Sequence, residues 1–221
     1  MILGISSATK TISVGICEKG KILAEFSISG KQSFTEDIIV YIDQLIRQTE
    51  AKITGIAVAS GPGSYSGLRG GMATAKTLAQ VLEVPIVEIS TLEAIAFNLI
   101  NIDATIIAVS DARRDEYNLA LFTSYKKELR RITQDMLMEL KDITSLLSKI
   151  KGEIYVCGYN EEIEKALNQT GINFTTQNLS VPKGSNVAIL GEALINKGIT
   201  GNVMELAPKY SIAPNIREFK R

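Results

Sequence analysis

The order of short apolar runs along this chain constrains its fold more than any single motif does. Ile2–Ser6, Thr11–Cys17 and Lys21–Ile28 are short and apolar or alternating, with tight turns at Ser7-Ala8-Thr9-Lys10 and Lys19-Gly20, a pattern that predicts three strands. Phe34–Glu50 reads as a helix, with Ser33 or Thr35 at its N-cap and Glu36 and Asp37 favourable in the first turn. Ile53–Ala59 is a fourth strand, Gly67–Leu82 a second helix, and Pro85–Ile89 a short extended run, after which Ser90 caps a helix over Thr91–Ile100. The pattern then recurs. Strands are expected over Ala104–Ser110, Glu116–Thr123 and Glu128–Thr133, a helix over Glu139–Lys149, a strand over Glu153–Cys157 and a helix over Asn160–Gln169. The order βββαβα thus occurs twice, offset by roughly 100 residues, without clear residue identity. It predicts an α/β chain of two tandem lobes, residues 1–100 and 101–221. Asn186–Asn196 reads as a helix able to pack back across the lobes, and Leu206–Arg221, which holds two of the five prolines, as a terminus that frays.

Two tandem βββαβα units resemble the actin-like ATPase (ribonuclease H-like) fold shared by sugar kinases and actin. The resemblance implies a mixed sheet flanked by helices in each lobe, with a nucleotide cleft between them. The fourth strand and second helix are joined by Ser60-Gly61-Pro62-Gly63-Ser64-Tyr65-Ser66-Gly67-Leu68-Arg69-Gly70-Gly71. Glycines let such a junction bend sharply and leave bare N–H groups at a helix start, where anions can sit. The spacing is not that of a P-loop, since no lysine follows Gly67. Physical reasoning leaves two readings of Gly61, Pro62, Gly63, Ser64, Tyr65, Ser66, Gly67 and Arg69 open. One is a turn packed on a neighbour; the other is a weak anion or nucleotide contact. As a string, Gly61–Arg69 resembles the GPGS(F/Y)(T/S)GLR signature of the TsaB (YeaZ) family, part of the machinery that makes threonylcarbamoyladenosine next to the tRNA anticodon. Asp111-Ala112-Arg113-Arg114-Asp115-Glu116-Tyr117 resembles the family's D-A-R-x-x-E-(V)-Y stretch and lies in the hairpin expected to open the second lobe. For Asp111, Arg113, Arg114, Glu116 and Tyr117, a solvated turn with locally paired charges stands beside a cleft or partner contact, since adjacent arginines can grip an acidic surface. Pro208-Lys209-Tyr210 resembles the family's P-x-Y-x-R element, but Ile212 stands where the arginine belongs.

Several chemistries are excluded at once. The 221 residues contain no histidine, which rules out Ser-His-Asp triads, HExxH sites and any His-ligated metal. Acid–base work is left to carboxylates, lysines, cysteines and tyrosines. Lys+Arg and Asp+Glu balance at 24 each, so no overall field captures nucleic acid. Cys17 and Cys157 sit far apart in apolar strands and read as buried, reduced thiols. No run approaches the roughly 20 apolar residues of a membrane span, and the N-terminus begins directly as a strand, so the expected location is the cytoplasm.

Actin-like ATPases resemble one another in an acid near the end of the first strand, which manages metal and phosphates. TsaB relatives commonly keep it in an Asp-Thr-Ser triplet; here Ser6-Ser7 stand in that place. A hydroxyl is a poor Mg²⁺ ligand beside a carboxylate. In the second lobe the matching loop, Gly158-Tyr159-Asn160-Glu161-Glu162, is acidic and repels phosphate. A small actin-like kinase would need both features, and a glycopeptidase-like activity would need a metal site or triad. The expectation is therefore a chain with no cofactor, no metal and no catalytic residue of its own.

The first lobe's helices carry a further signal. Apolar residues on the first cover an arc of roughly 160°, more than one sheet contact needs. On the second, Arg69, Lys76 and Gln80 cluster within roughly 40°, and nearly everything else is apolar or small. Ile38, Ile39, Ile42, Leu45, Ile46, Gly71, Met72, Thr74, Ala75 and Leu78 are therefore candidates for a partner interface. Met72 and Leu78 lie on different sides of the second helix, one expected on the sheet and the other on the partner. The family resemblance names that partner. It implies pairing through these helices with the paralogue TsaD, or with itself, TsaE as a third component, and tRNA held only by the complex. TsaD carries two metal-binding histidines and transfers the threonylcarbamoyl group, so a chain without histidine looks like its scaffold.

Overall fold

The computed structural model describes residues 1–30, 37–113, 115–158, 161–169, 175–177, 179 and 181–211, and the side chains of all of these except 113, 161 and 175–177. The expected caps Ser33 and Thr35 and the start of the first helix lie outside them, as do Arg114 and residues 212–221.

The first sheet is built from β1 (Ile2–Ser6), β2 (Thr11–Glu18), β3 (Lys21–Ser29), β4 (Gly55–Gly61) and β5 (Ile86–Ser90), in the order β3-β2-β1-β4-β5. β3, β2 and β1 form an antiparallel meander, and β1, β4 and β5 run parallel. β1 and β4 are buried on both faces, which is why they read as continuous apolar or small-residue runs rather than alternating ones. On one face α1 (Ile38–Thr49) and α2 (Tyr65–Leu82) cover Leu3, Ile5, Val14, Ile16, Ile56 and Val58. The other face, with Ile2, Cys17, Ala57, Ala59, Val87 and Ile89, is covered by α6 (Gly184–Asn196). That helix lies unusually close to the sheet. Gly4 and Gly15 pair across β1 and β2, and a Cβ at Gly4 would sit 2.1 Å from the Gly184 carbonyl oxygen.

The second sheet has the order β11-β10-β6-β7-β8, from β6 (Ala104–Arg113), β7 (Glu116–Tyr125), β8 (Glu128–Arg131), β10 (Ile154–Cys157) and β11 (Thr175–Gln177). A further strand, β9 (Met136–Glu139), pairs with Glu116–Leu119 at one end of β7, while β8 pairs with Phe122–Tyr125 at the other. α4 (Leu140–Leu147) and α5 (Glu161–Asn168) cover the outer face over Ile107, Val109, Leu119 and Val156. α3 (Thr91–Ala96), N-capped by Ser90 as the sequence predicts, covers the inner face through Leu92, Ile95 and Ala96 against Ile106, Ala108, Ala120 and Phe122.

Each half of the chain therefore reads βββαβαβα, one strand and one helix longer than the expected repeat, with β9 as an insertion. The two halves also exchange their last helices. α3 closes the first half and packs on β6 and β7 of the second sheet as well as on β4 and β5 of the first, while α6 closes the second half but packs on β1, β2 and β4. The expected helix at 186–196 does return across the lobes. Asn186 ties the pair together by donating to the Ala94 carbonyl at 3.0 Å and to Asn98 at 2.9 Å.

Candidate functional site

Gly61–Gly71 turns β4 into α2, and its glycines admit other parts of the chain. Gly61 adopts φ +133°, a conformation L side chains rarely take, and a Cβ there would lie 2.1 Å from the Lys209 carbonyl oxygen. Cβ atoms at Gly63 and Gly67 would fall 2.3 Å from the Ala8 and 2.0 Å from the Ser7 carbonyl oxygens, and one at Gly71 would fall 2.2 Å from Ser7 Oγ. Two amides beside the helix start are engaged internally as well. Ser64 N–H donates to Ala8 at 2.7 Å, while Gly67 N–H donates to the N-cap hydroxyl of Ser64 at 3.4 Å. Ser7, one of the two residues standing where the acid is missing, donates its hydroxyl to the Gly67 carbonyl at 2.7 Å. The turn is thus packed on Ser7, Ala8 and Lys209.

The segment that fills Gly61 belongs to a strap, residues 201–210, which the sequence reading missed. It begins with a bridge between Gly201 and Ile86 and ends with Lys209 N–H donating to the Ser60 carbonyl at 2.7 Å. Between these points Lys76 Nζ donates to the carbonyls of Met204 (3.3 Å) and Leu206 (3.0 Å), and Gln80 reaches Met204 Sδ at 3.6 Å. Tyr210 packs on Tyr65 with ring centroids 5.0 Å apart, and Arg69 donates to the Tyr65 hydroxyl at 3.1 Å. Partial burial, and after it the neighbouring Tyr65 hydroxyl, raises the Tyr210 hydroxyl above its ordinary pKa. Arg69, Lys76 and Gln80 are the polar stripe seen on α2, so that stripe was the available signal for the strap.

A cleft of about 540 Å³ opens between the lobes, lined by Ser60, Glu88, Ser90, Glu93, Asn118, Arg131, Asp135 and Lys209 among others. Both of these cations are already paired: Arg131 with Asp135 at 2.6 Å and Glu93 at 3.6 Å, and Lys209 with Glu88. Carboxylates outnumber cations along this wall, which disfavours a polyphosphate. Among the described residues no group of three His, Cys, Asp or Glu side chains could hold a metal ion.

The interface candidates divide by burial, and the set needs correction. Ile38, Ile42, Leu45, Met72 and Ala75 lie in the chain's own core, at 0–3 % exposure, and Gly71 is buried against Ser7. Ile46 and Leu78 are half-buried on the same core and Thr74 is half-buried, so Met72 and Leu78 both face inward. Of the ten candidates only Ile39 is well exposed, at 48 %; its neighbour Val40 is 49 % exposed. On α2 the open stripe is Ser66, Ala73, Thr77 and Val81, the last 73 % exposed, with Gly70 half-buried between them. The helices need less wrapping than their composition suggests, because small residues at 71, 75 and 79 let α2 lie close to the sheet.

The second motif occupies the β6–β7 hairpin, with Asp111 opposite Tyr117 and Arg113 opposite Glu116. Tyr117 is buried in the second lobe's outer core and donates its hydroxyl to Glu162 at 3.0 Å. Asp111 is exposed and Glu116 half-buried. The two cysteines are buried as expected.

With this geometry in hand, likeness to known proteins is informative. The family profile described as TsaD: tRNA N6-adenosine threonylcarbamoyltransferase matches residues 21–218. The chain belongs to this family. Within it, the chain is 28 % identical to the tRNA threonylcarbamoyladenosine biosynthesis protein TsaB of Bacillus subtilis, over 93 % of this chain and 94 % of that one. The structure of YeaZ from Pseudomonas aeruginosa superposes with a TM-score of 0.79 at 16 % identity, covering 95 % of this chain and 98 % of that one. A ROK hexokinase from Thermus thermophilus superposes with a TM-score of 0.54 at 8 % identity, over 89 % and 99 % of the two chains. Those two likenesses establish the fold: a two-lobed, actin-like α/β architecture.

Proposed function

We propose that this protein is the TsaB-type subunit of the machinery that forms N6-threonylcarbamoyladenosine in tRNA, and that it acts as a scaffold and not as a catalyst. The observation that carries the reading is the filled glycine loop. The glycine-rich turn between β4 and α2 is packed against Ser7, Ala8 and Lys209 of the chain itself. The Ser6-Ser7 pair, the absence of histidine and the paired cations of the cleft support it from the side of chemistry. The relatives' names supply the process. Its partner in this reading is a TsaD-type transferase, with TsaE as third component and tRNA engaged only by the complex.

The surface that serves pairing, in this reading, is the outer face of α1 and α2. Ile39 and Val40 stand beside a smooth stripe of Ser66, Gly70, Ala73 and Thr77, a combination that suits close helix–helix packing. In the absence of the transferase the same face serves pairing with a second copy.

Reconstitution tests the proposal. A TsaD-type transferase, TsaE, ATP, tRNA and the threonylcarbamoyl donor system are incubated with and without this chain, and the modified nucleoside is measured after digestion. Product is expected only when the chain is present, and the chain alone should give neither product nor ATP turnover. Full product without it, or steady turnover near ~1 s⁻¹ by the chain alone, would overturn the reading.

A further inference from the structure

The α2 helix holds no acidic side chain, and neither does the whole stretch from Ala51 to Leu82. Its two cations differ in what they touch. Lys76 is occupied by the strap carbonyls of Met204 and Leu206. Arg69 forms no ion pair among the described residues; its Nη1 donates to the Tyr65 hydroxyl at 3.1 Å, and its guanidinium lies 5.3 Å from the centroid of that ring. Tyr210 packs on the same ring, so Tyr65, Arg69 and Tyr210 make one exposed aromatic and cationic group at the first turns of α2. The far end of the helix is different. Val81 is 73 % exposed there, and so is Met204 of the strap, whose sulfur lies 3.6 Å from Gln80. Arg69 and Val81 are about 18 Å apart along the helix axis, with the small residues Gly70, Ala73 and Thr77 between them.

We propose that the open face of α2 takes a protein partner in one orientation, set by a partner carboxylate at Arg69 and a partner apolar side chain at Val81 and Met204. This rests on the reading above, in which that face serves pairing. Arginine and tyrosine act as anchors where an interface desolvates them. Tyr65 already steadies the guanidinium from one side, which leaves less side-chain freedom to lose on binding. Its remaining N–H groups form a fork suited to a carboxylate. The reverse orientation is penalised, because Glu83 at the C-cap of α2 would repel the same carboxylate. A second copy suits the face less well: its α2 offers no acid, and Asp43 on its α1 is tied to its own Arg47 at 2.7 Å. An RNA suits it less well too. One unpaired cation neutralises few phosphates, and exposed Ile39, Val40, Val81 and Met204 gain nothing from a phosphate backbone.

The test is pairing with a TsaD-type transferase, followed by sedimentation velocity at about 50 mM and about 500 mM NaCl, a range over which exposed charge contacts become screened. The dissociation constant of the native protein should rise with salt. Arg69→Met should weaken pairing at low salt by about tenfold or more and flatten the salt response, and Arg69→Lys should restore part of both. Val81→Ser should weaken pairing and leave the salt response unchanged. Lys149→Met, at an exposed position of the second lobe, makes the same change of net charge and should match the native protein. Arg69 and Val81 are also exposed, so circular dichroism should stay native; if Arg69→Met does not fold, Arg69→Gln takes its place. Self-association of the chain alone should not be weakened by Arg69→Met, a readout that separates a partner contact from a general loosening of α2. A native salt response in Arg69→Met, or an equal loss of self-association, would overturn the proposal. So would weaker tRNA binding by the assembled complex at undiminished pairing, which would assign Arg69 to RNA. No pairing by the native chain would sink the functional reading itself, and this proposal with it.

Discussion

At the scale of single residues, the glycines of the β4–α2 turn are where chain meets chain. Gly67→Ala would drive a methyl group to 2.0 Å from the Ser7 carbonyl oxygen, a backbone atom that cannot swing aside. The expected outcome is a loss of about 1–3 kcal/mol, the usual cost of overpacking, read as a lower urea midpoint at unchanged slope. The cysteines give a pH signature. Burial pushes the Cys157 thiol up to about 12, and burial together with nearby Glu192 does the same for Cys17, against an ordinary value of 9.0. Above pH 9 the unfolded thiols lose protons while the folded ones keep them. Stability from this source is therefore fully present below about pH 9 and falls as pH rises toward 12, by about 1.4 kcal/mol per pH unit for each thiol over that window. Urea midpoints at pH 8 and pH 10 measure the fall, and Cys157→Ala should make it shallower.

At the scale of elements, α2 has three faces with separate tasks. Leu68, Met72, Ala75 and Ala79 lie in the core, Lys76 and Gln80 hold the strap while Arg69 donates to Tyr65, on which Tyr210 packs, and Ser66, Ala73, Thr77 and Val81 are open. Met72→Glu would force a charge into a site 3 % exposed, a cost of several kcal/mol and comparable to a whole domain's stability. Thr77→Glu would place the same charge in water. Circular dichroism should show the first variant unfolded and the second native, and size-exclusion chromatography should show the second as a monomer. The strands β1–β8 and β10 and the helices were legible because their periodicities are local: alternation or continuous apolar runs for strands, amphipathic spacing and the Ser90 cap for helices, although the Ser64 cap that starts α2 two residues before Gly67 was not. β9 was not, because Met136-Leu137-Met138-Glu139 is made of helix-favouring residues and becomes a strand only by pairing with β7. The strap was not, because its order comes from Lys76, Tyr65 and Ser60, distant in sequence. The interface set was read too deep for a related reason: a helix composition reveals how much apolar surface needs cover, not which neighbour covers it.

At the scale of the molecule, two actin-like lobes meet through α3 and α6, and residues 201–210 lie over the glycine-rich turn between β4 and α2. The motif at Gly61–Arg69 was readable as a string, but its physical role as a packing site became visible only with Ser7, Ala8 and Lys209 in place. With no histidine the chain has no Ser-His-Asp triad and no His-ligated metal, and with a net charge of zero it carries no overall field for an RNA. The central claim is that it contributes through the outer face of α1 and α2 and not through its cleft. The most direct measurement is reconstituted threonylcarbamoyladenosine formation with two folded variants, Thr77→Glu on the open stripe of α2 and Gln134→Ala in the cleft wall. The account predicts that Thr77→Glu abolishes product at equimolar subunits and regains it at high concentration, as weakened pairing requires, while Gln134→Ala matches the native protein throughout. Loss of product with Gln134→Ala at undiminished pairing, together with full activity of Thr77→Glu at equimolar subunits, would contradict it.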